Sequence, residues 1–313
     1  MKLGSILVTH NNGSGSRRYD FSNGPSKEQA NPDNFLTLCL ESYRNTAECE
    51  NEFIIVDDGS TDDSVDIIQR YSDLYSELIV NESNIGLSPS MMIAADRLIK
   101  NGCDVICRFD ADIEFITQGW DTRLLNHFQH YPQTAAAGGC QLLPMHSIWA
   151  CGDMMIHPRG YSHILLDTPT GKFYDASIKP NENLIIGNVE CDSVMGCFAA
   201  FRSTAFRLVG GLREEFYQVR GQTEDLNLRF LLNDYQCMAL GNILFYHRHF
   251  EHVGKNAFTD TSEKQDESLV LWKNIWGWEK LKPDLAEILQ NYKGTRLCRH
   301  LIEINGDVSY IGP

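Results

Sequence analysis

Short apolar runs alternate with polar turns through the first half of the chain. Residues 5–9 and the run Phe53-Ile54-Ile55-Val56 are rich in β-branched residues and unbroken, the pattern of strands covered on both faces. Residues 78–80, 105–109 and the segment "AAAGGCQLL" repeat it. Between them, apolar residues return at helical spacing. Phe35, Leu38, Cys39 and Ser42 share one helical face, and Val65, Ile67, Ile68 and Tyr71 share another. Ser60 or Thr61 is placed to cap that second helix, with Asp62 and Asp63 in its first turn, where the helix dipole favours negative charge. Ser88 caps a third helix with Pro89 at its first position, and Gly102 ends it. "WDTRLLNHFQHY" is a further helix. Strand, turn and helix thus alternate as in an α/β protein with a mostly parallel central sheet.

The remaining segments are less regular. Residues 11–34 are rich in Gly, Ser and Asn with little periodicity, which predicts a long mobile loop. Residues 144–190 carry Trp149, Tyr161, Phe173 and Tyr174 among glycines and prolines. Ser203 caps a helix stopped by Gly210 and Gly211, and Thr223 opens another. "QCMALGNILFYHRHFEHVG" reads as a last strand running into His247, His249 and His252. The pattern predicts one α/β domain over residues 1–254 and a helical C-terminal extension over 255–313, which holds Trp272, Trp276 and Trp278.

Composition narrows the function classes. A chain of 313 residues can bury a sizeable core. Its formal net charge of −15 argues against an extended nucleic-acid surface, which needs clustered Lys and Arg, and suits a site that holds a divalent cation. Ten cysteines are scattered with no CxxC pair, most of them in apolar settings, and predict buried free thiols in a reducing compartment. The start "MKLGSILVTHNN" does not read as a signal peptide, and no stretch reaches the roughly 20 apolar residues that span a bilayer. A soluble, cytoplasmic protein with no transmembrane segment is expected.

Three buried strands end in polar groups at what the parallel arrangement makes one sheet edge: Thr9-His10-Asn11, Asp57-Asp58 and Asp110-Ala111-Asp112. In open α/β sheets ligands bind at that edge. A carboxylate can accept the imide N–H of a uracil ring, and an imidazole can stack on that ring. A DxD pair can hold ribose hydroxyls and a divalent cation, which neutralises a diphosphate. The competing reading of Asp57-Asp58 is that they end a strand and cap a helix.

The segments "IIVDDGSTDDS", "NIGLSPSMMIAA", "FDADIEF", "GGLREEF" and "TEDLNLR", in that order, resemble the family 2 glycosyltransferases over about residues 3–254. The resemblance implies an α/β fold of GT-A type. In it a Rossmann-like nucleotide-binding half joins an acceptor-side half over residues 140–254. It also implies inverting transfer of a sugar from a nucleotide-sugar donor, a UDP-sugar for a uracil-binding edge, to an acceptor hydroxyl with Mn²⁺ or Mg²⁺. Thr9, His10 and Asn11 stand in the first-strand turn, with His10 replacing the tyrosine that stacks on the base and the family's proline missing. Asp57 or Asp58 would bind uracil, and Asn84 and Gly86 would approach the nucleotide. Asp110 would face the ribose and Asp112 the metal, with His252, or else His249, completing the metal shell. Glu224 and Asp225 match the family's ED motif, in which the carboxylate of Asp225 would be the general base. The acceptor carries no readable motif: glycan, lipid-linked and protein acceptors all fit, and the charge disfavours nucleic acid. Two rival readings are a nucleotidyltransferase on a related fold, with "NNGSGSRR" as its phosphate loop, and a non-catalytic nucleotide-sugar or glycan-binding module.

Overall fold

The continuous apolar runs become strands of one large sheet, inner ones except for residues 78–80, which form a part-buried edge strand. A computed structural model describes residues 1–13, 34–142, 148–157, 160–167, 172–175, 187–216, 221–248, 267, 270–272, 274–276, 300–304 and 307–311. Its elements are β1 (Leu3–Thr9), α1 (Phe35–Thr46), β2 (Asn51–Asp57), α2 (Ser64–Gln69), β3 (Glu77–Val80), α3 (Leu87–Lys100), β4 (Val105–Asp110), β5 (Ile113–Phe115), α4 (Trp120–His130), β6 (Thr134–Leu142), β7 (Ile148–Ala150), β8 (Asp153–His157), β9 (Gly160–Asp167), β10 (Lys172–Asp175), β11 (Val189–Cys191), β12 (Phe198–Arg202), α5 (Ser203–Leu208), α6 (Gln222–Leu231), β13 (Gln236–His247), β14 (His300–Ile304) and β15 (Asp307–Ile311). The ten-stranded sheet has the order β11-β13-β6-β12-β4-β1-β2-β3, with β5 added to β13 and β7 to β6.

The β4-β1-β2-β3 side is parallel throughout. Strand order reverses at β1, flanked by β2 and β4, and such a switch point opens a crevice at the carboxyl ends of the strands. The other side is mixed: β12 runs antiparallel to β4 and β6, while β13 runs parallel to β6. Buried strands need cover on both faces. One face packs on α3, α5 and α6 through Met91, Phe206, Leu226 and Phe230, and the other on α1, α2 and α4 through Leu40, Ile68 and Trp120. A second sheet, of order β10-β9-β8-β14-β15, brings C-terminal strands beside β8.

Helix starts differ in detail from the sequence reading. α1 is capped by Asn34, whose side chain accepts from the Thr37 amide at 2.7 Å. α2 begins only at Ser64, because the Ser60 amide is taken by Asp57 Oδ2 (2.9 Å) and the Thr61 amide by Asn11 Oδ1 (2.8 Å). The acidic turn is therefore longer than a simple cap. Ser88 lies inside α3, and its hydroxyl donates to the Phe216 carbonyl at 2.6 Å.

Cys140 and Cys151 form a disulfide with a Cα separation of 4.4 Å, which corrects the expectation of free thiols at these two positions. The pairing of Gln141 with Ala150 between β6 and β7 sets the two cysteines side by side, and no spacing rule reveals that register. Cys39, Cys49, Cys103, Cys107, Cys191, Cys197 and Cys237 are free. In the C-terminal extension the described residues between 267 and 276 are helical, but His300–Ile304 and Asp307–Ile311 pair as a hairpin. No helix among the described residues is long and apolar enough to cross a membrane. Residues 14–33, most of the expected mobile loop, lie outside the described residues.

Candidate nucleotide and metal site

The two aspartates of the acidic turn have opposite environments. Asp58 is saturated. Its Oδ1 accepts from Asn81 Nδ2, Ser90 Oγ and the Ile85 amide, each at 2.9 Å, and its Oδ2 from the Gly86 amide at 2.9 Å. It ties the loop holding Asn84 and Gly86 to the end of β2. Asp57 is 0% exposed, and its Oδ2 accepts from the Ser60 amide. Its Oδ1 is buried with no hydrogen-bond partner. A buried carboxylate oxygen left unpaired is costly, and such a group calls for an explanation. Gly59, at φ 69°, lets this turn touch the next loop: a Cβ there would lie 2.4 Å from the Ser83 carbonyl carbon.

The first-strand turn is fixed against the same edge. Thr9 is buried, and its hydroxyl accepts from Asn12 Nδ2 at 2.8 Å. His10 Nδ1 lies 2.8 Å from the Asp58 carbonyl and His10 Nε2 lies 3.1 Å from Asn11 Nδ2. Nδ1 therefore donates, Nε2 accepts, and the ring is held in one orientation. Asn11 adopts φ 52°, a left-handed conformation that asparagine tolerates.

At the end of β4, Asp110, Asp112 and His247 offer ligand atoms all within 4.8 Å of one another. His247 Nε2 is 3.2 Å from Asp112 Oδ1 and 3.8 Å from Asp110 Oδ2. Two carboxylates and an imidazole suit Mn²⁺ and similar divalent cations. Burial pushes the Asp110 carboxyl pKa up against the pull of Arg108 and His247. Burial lowers the His247 pKa, but Asp112 and Cys197 outweigh it and the net shift is well upward. Arg108, 4% exposed, pairs with Asp110 from within β4.

His247 is the member of this candidate cluster that the sequence reading did not single out. It was visible as part of a histidine cluster, but its position depends on β13. That strand pairs Leu240 with Gly139 and then Leu244 with Cys140, so three extra residues intervene. An odd insertion reverses the face on which later side chains emerge. β5 then zips onto the end of β13, pairing His247 with Ile113 and Tyr246 with Glu114. The Arg248 amide donates to the Asp112 carbonyl at 2.9 Å, and Arg248 Nε donates to Glu114 Oε2 at 2.9 Å. His249 and His252, the histidines expected to bind metal, lie outside the described residues.

Glu224 and Asp225 lie in the first turn of α6. Glu224 is half-buried, whereas Asp225 is 0% exposed. Asp225 accepts from Arg213 Nε (3.0 Å), Arg229 Nε (2.9 Å) and Trp276 Nε1 (2.9 Å). Two guanidinium groups and an indole enclose it.

Residues 30–146 match the family model described as "Glycosyl transferase family 2". No curated protein matches the chain. Among solved structures, GalNAc-T7 with UDP, GalNAc and Mn²⁺ is 13% identical with a TM-score of 0.56, over 88% of this chain and 48% of that one. The mannosyltransferase PcManGT from Pyrobaculum calidifontis, in complex with GDP-Man and Mn²⁺, is 13% identical with a TM-score of 0.55, over 92% of this chain and 67% of that one. S. aureus TarS is 14% identical with a TM-score of 0.50, over 95% of this chain and 44% of that one. The chain thus spans about half the length of the first of these, and the likeness establishes the fold.

Proposed function

We propose that this chain, whose residues 30–146 belong to glycosyl transferase family 2, moves a sugar from a UDP-sugar to an acceptor hydroxyl with inversion at the anomeric carbon. The observation that carries the reading is a single sheet edge. It holds both an unpartnered buried carboxylate oxygen on Asp57 and the Asp110–Asp112–His247 cluster. Asp57 Oδ1 suits the imide N–H of uracil, because that donor would satisfy a buried acceptor, while Asp58 is spent on the loop of Asn84 and Gly86. The His10 ring stacks on the base, and Thr9 and Asn11 hold the turn that carries it.

Asp110, Asp112 and His247 would hold a divalent cation, Mn²⁺ or Mg²⁺, whose chemistry is to neutralise the diphosphate leaving group. The base is Glu224 rather than Asp225. A carboxylate enclosed by two arginines and a tryptophan has no free face for an acceptor, and Glu224 is the more exposed member of the pair. Glu224 takes the proton of the acceptor hydroxyl, the oxygen forms a bond to the anomeric carbon, and the bond from that carbon to the diphosphate oxygen breaks. The acceptor is a glycan, lipid-linked glycan or protein hydroxyl.

Calorimetry with UDP, GDP and ADP in Mn²⁺ tests the nucleotide assignment. UDP is expected to bind tightest, and Asp57→Asn to weaken UDP by about tenfold or more, the scale of one hydrogen bond to a charged group. Preference for a purine, or UDP binding unchanged in Asp57→Asn, would remove the uracil assignment.

A further inference from the structure

The mechanism leaves Asp225 without a chemical task, although it is the more heavily held member of its pair. Its donors come from three separate parts of the chain. Arg213 belongs to the turn after α5, Arg229 lies one turn further along α6, and Trp276 belongs to the C-terminal extension, far beyond residues 30–146. Arg229 carries the network onward to the backbone, reaching the Val209 carbonyl at 2.5 Å and the Gly211 carbonyl at 2.7 Å. Trp276 is 6% exposed, and its ring centroid lies 6.0 Å from that of the fully buried Trp272. Both indoles belong to the same apolar cluster as Leu226, Leu228 and Phe230 of α6.

Packing alone does not call for a charged group at position 225. Taking a carboxylate and two guanidinium groups out of water costs about as much as their attraction returns, so such a cluster adds little net stability. It does set geometry. Every donor on Asp225 constrains the first turn of α6, and Glu224 stands on that turn. A reacting group misplaced by about 1 Å can cost about a hundredfold in rate.

We propose that Asp225 is a positioning residue for Glu224, and that Trp276, by donating to Asp225, makes the C-terminal extension an integral part of the transfer site. This rests on Glu224 as the base. The extension then acts on transfer and leaves the nucleotide edge at β1, β2 and β4 untouched.

The test compares full-length variants by steady-state kinetics and by UDP calorimetry in Mn²⁺. Trp276→Phe removes the indole donor while keeping an aromatic ring. It is expected to lower kcat about tenfold, with KM for the donor and UDP affinity within about twofold of wild type. Trp272→Phe removes the same size of ring from the same cluster, and is expected to lower Tm comparably while kcat stays near wild type. Arg213→Lys and Arg213→Met act on a side chain that is 39% exposed and put folding at less risk. Both should show the same kcat-specific loss, smaller for lysine. Wild-type kcat in both Trp276→Phe and Arg213→Met overturns the proposal. So does a matching loss of kcat and UDP affinity, because that marks general damage to the structure. Glu224→Gln, measured alongside, separates the two readings. If it is dead while Trp276→Phe and Arg213→Met are both normal, only this inference fails; if it is fully active, the base assignment fails as well.

Discussion

Asp57 and Asp58 are neighbours with identical side chains, and their surroundings give them different work. Asp58 accepts four hydrogen bonds, three from the 81–86 loop and one from Ser90 of α3, so Asp58→Asn turns a donor toward other donors. It is expected to cost about 2–4 kcal/mol of stability, seen as a lower urea midpoint. Asp57→Asn should leave that midpoint nearly unchanged while UDP affinity falls; equal destabilisation by both would contradict the division of labour. The same logic separates Glu224 from Asp225. Glu224→Gln should reduce transfer by roughly 100-fold or more, the usual scale for loss of a general base, with UDP binding retained. The sequence showed both acidic pairs and placed Asp57 and Asp58 at the end of a strand of the parallel sheet. It could not show which carboxylate of each pair was saturated, because the donors on Asp58 and Asp225 come from as far away as Ser90 and Trp276.

The elements that hold the cluster are β5 and β13, joined by the Arg248–Glu114 ion pair, with the Arg248 guanidinium held over the Tyr246 ring at the end of β13, 4.2 Å from its centroid. Arg248→Met breaks this clamp without touching Asp110, Asp112 or His247. It is expected to weaken Mn²⁺ binding about 10- to 100-fold, as loss of supporting contacts around a metal ligand does. Unchanged Mn²⁺ affinity by calorimetry would show that the zipper does not set the ligand geometry. β13 itself was legible, since its apolar run is continuous; the three-residue β5 and the irregular pairing inside β13 were not, because a short strand and a bulge leave no trace in hydropathy. A pH signature belongs to α4. Burial lowers the His127 pKa from 6.5 to about 4, aided by the positive charge of Arg202. Its ring meets the Thr134 hydroxyl at 3.1 Å. Below pH 6.5 the unfolded chain takes up this proton first, so the His127 contribution is lost as pH falls toward about 4. His127→Gln should therefore lose less stability than wild type over that window; parallel curves would show that His127 does not titrate this way.

Across the whole molecule, a parallel half with its switch point at β1 carries the edge that holds Asp57, Asp58 and Asp110, and a mixed half supplies β13, α6 and their side chains. The α/β architecture and the order of its motifs could be read from the chain, because each motif lies within one strand–turn–helix unit. The second sheet and the docking of Trp276 could not, since both join residues more than fifty positions apart or set by pairing alone. The central claim is sugar transfer from a uridine nucleotide. It is tested most directly by incubating the full-length protein with a panel of UDP-, GDP- and ADP-sugars in Mn²⁺, with and without mixed glycan, glycolipid and protein acceptors, and measuring released nucleoside diphosphate. The account predicts UDP release from at least one UDP-sugar, lost in chelator and reduced roughly 100-fold or more in Glu224→Gln. No release above a heat-inactivated control from any sugar nucleotide, or release that ignores both chelator and the Glu224 substitution, would contradict it.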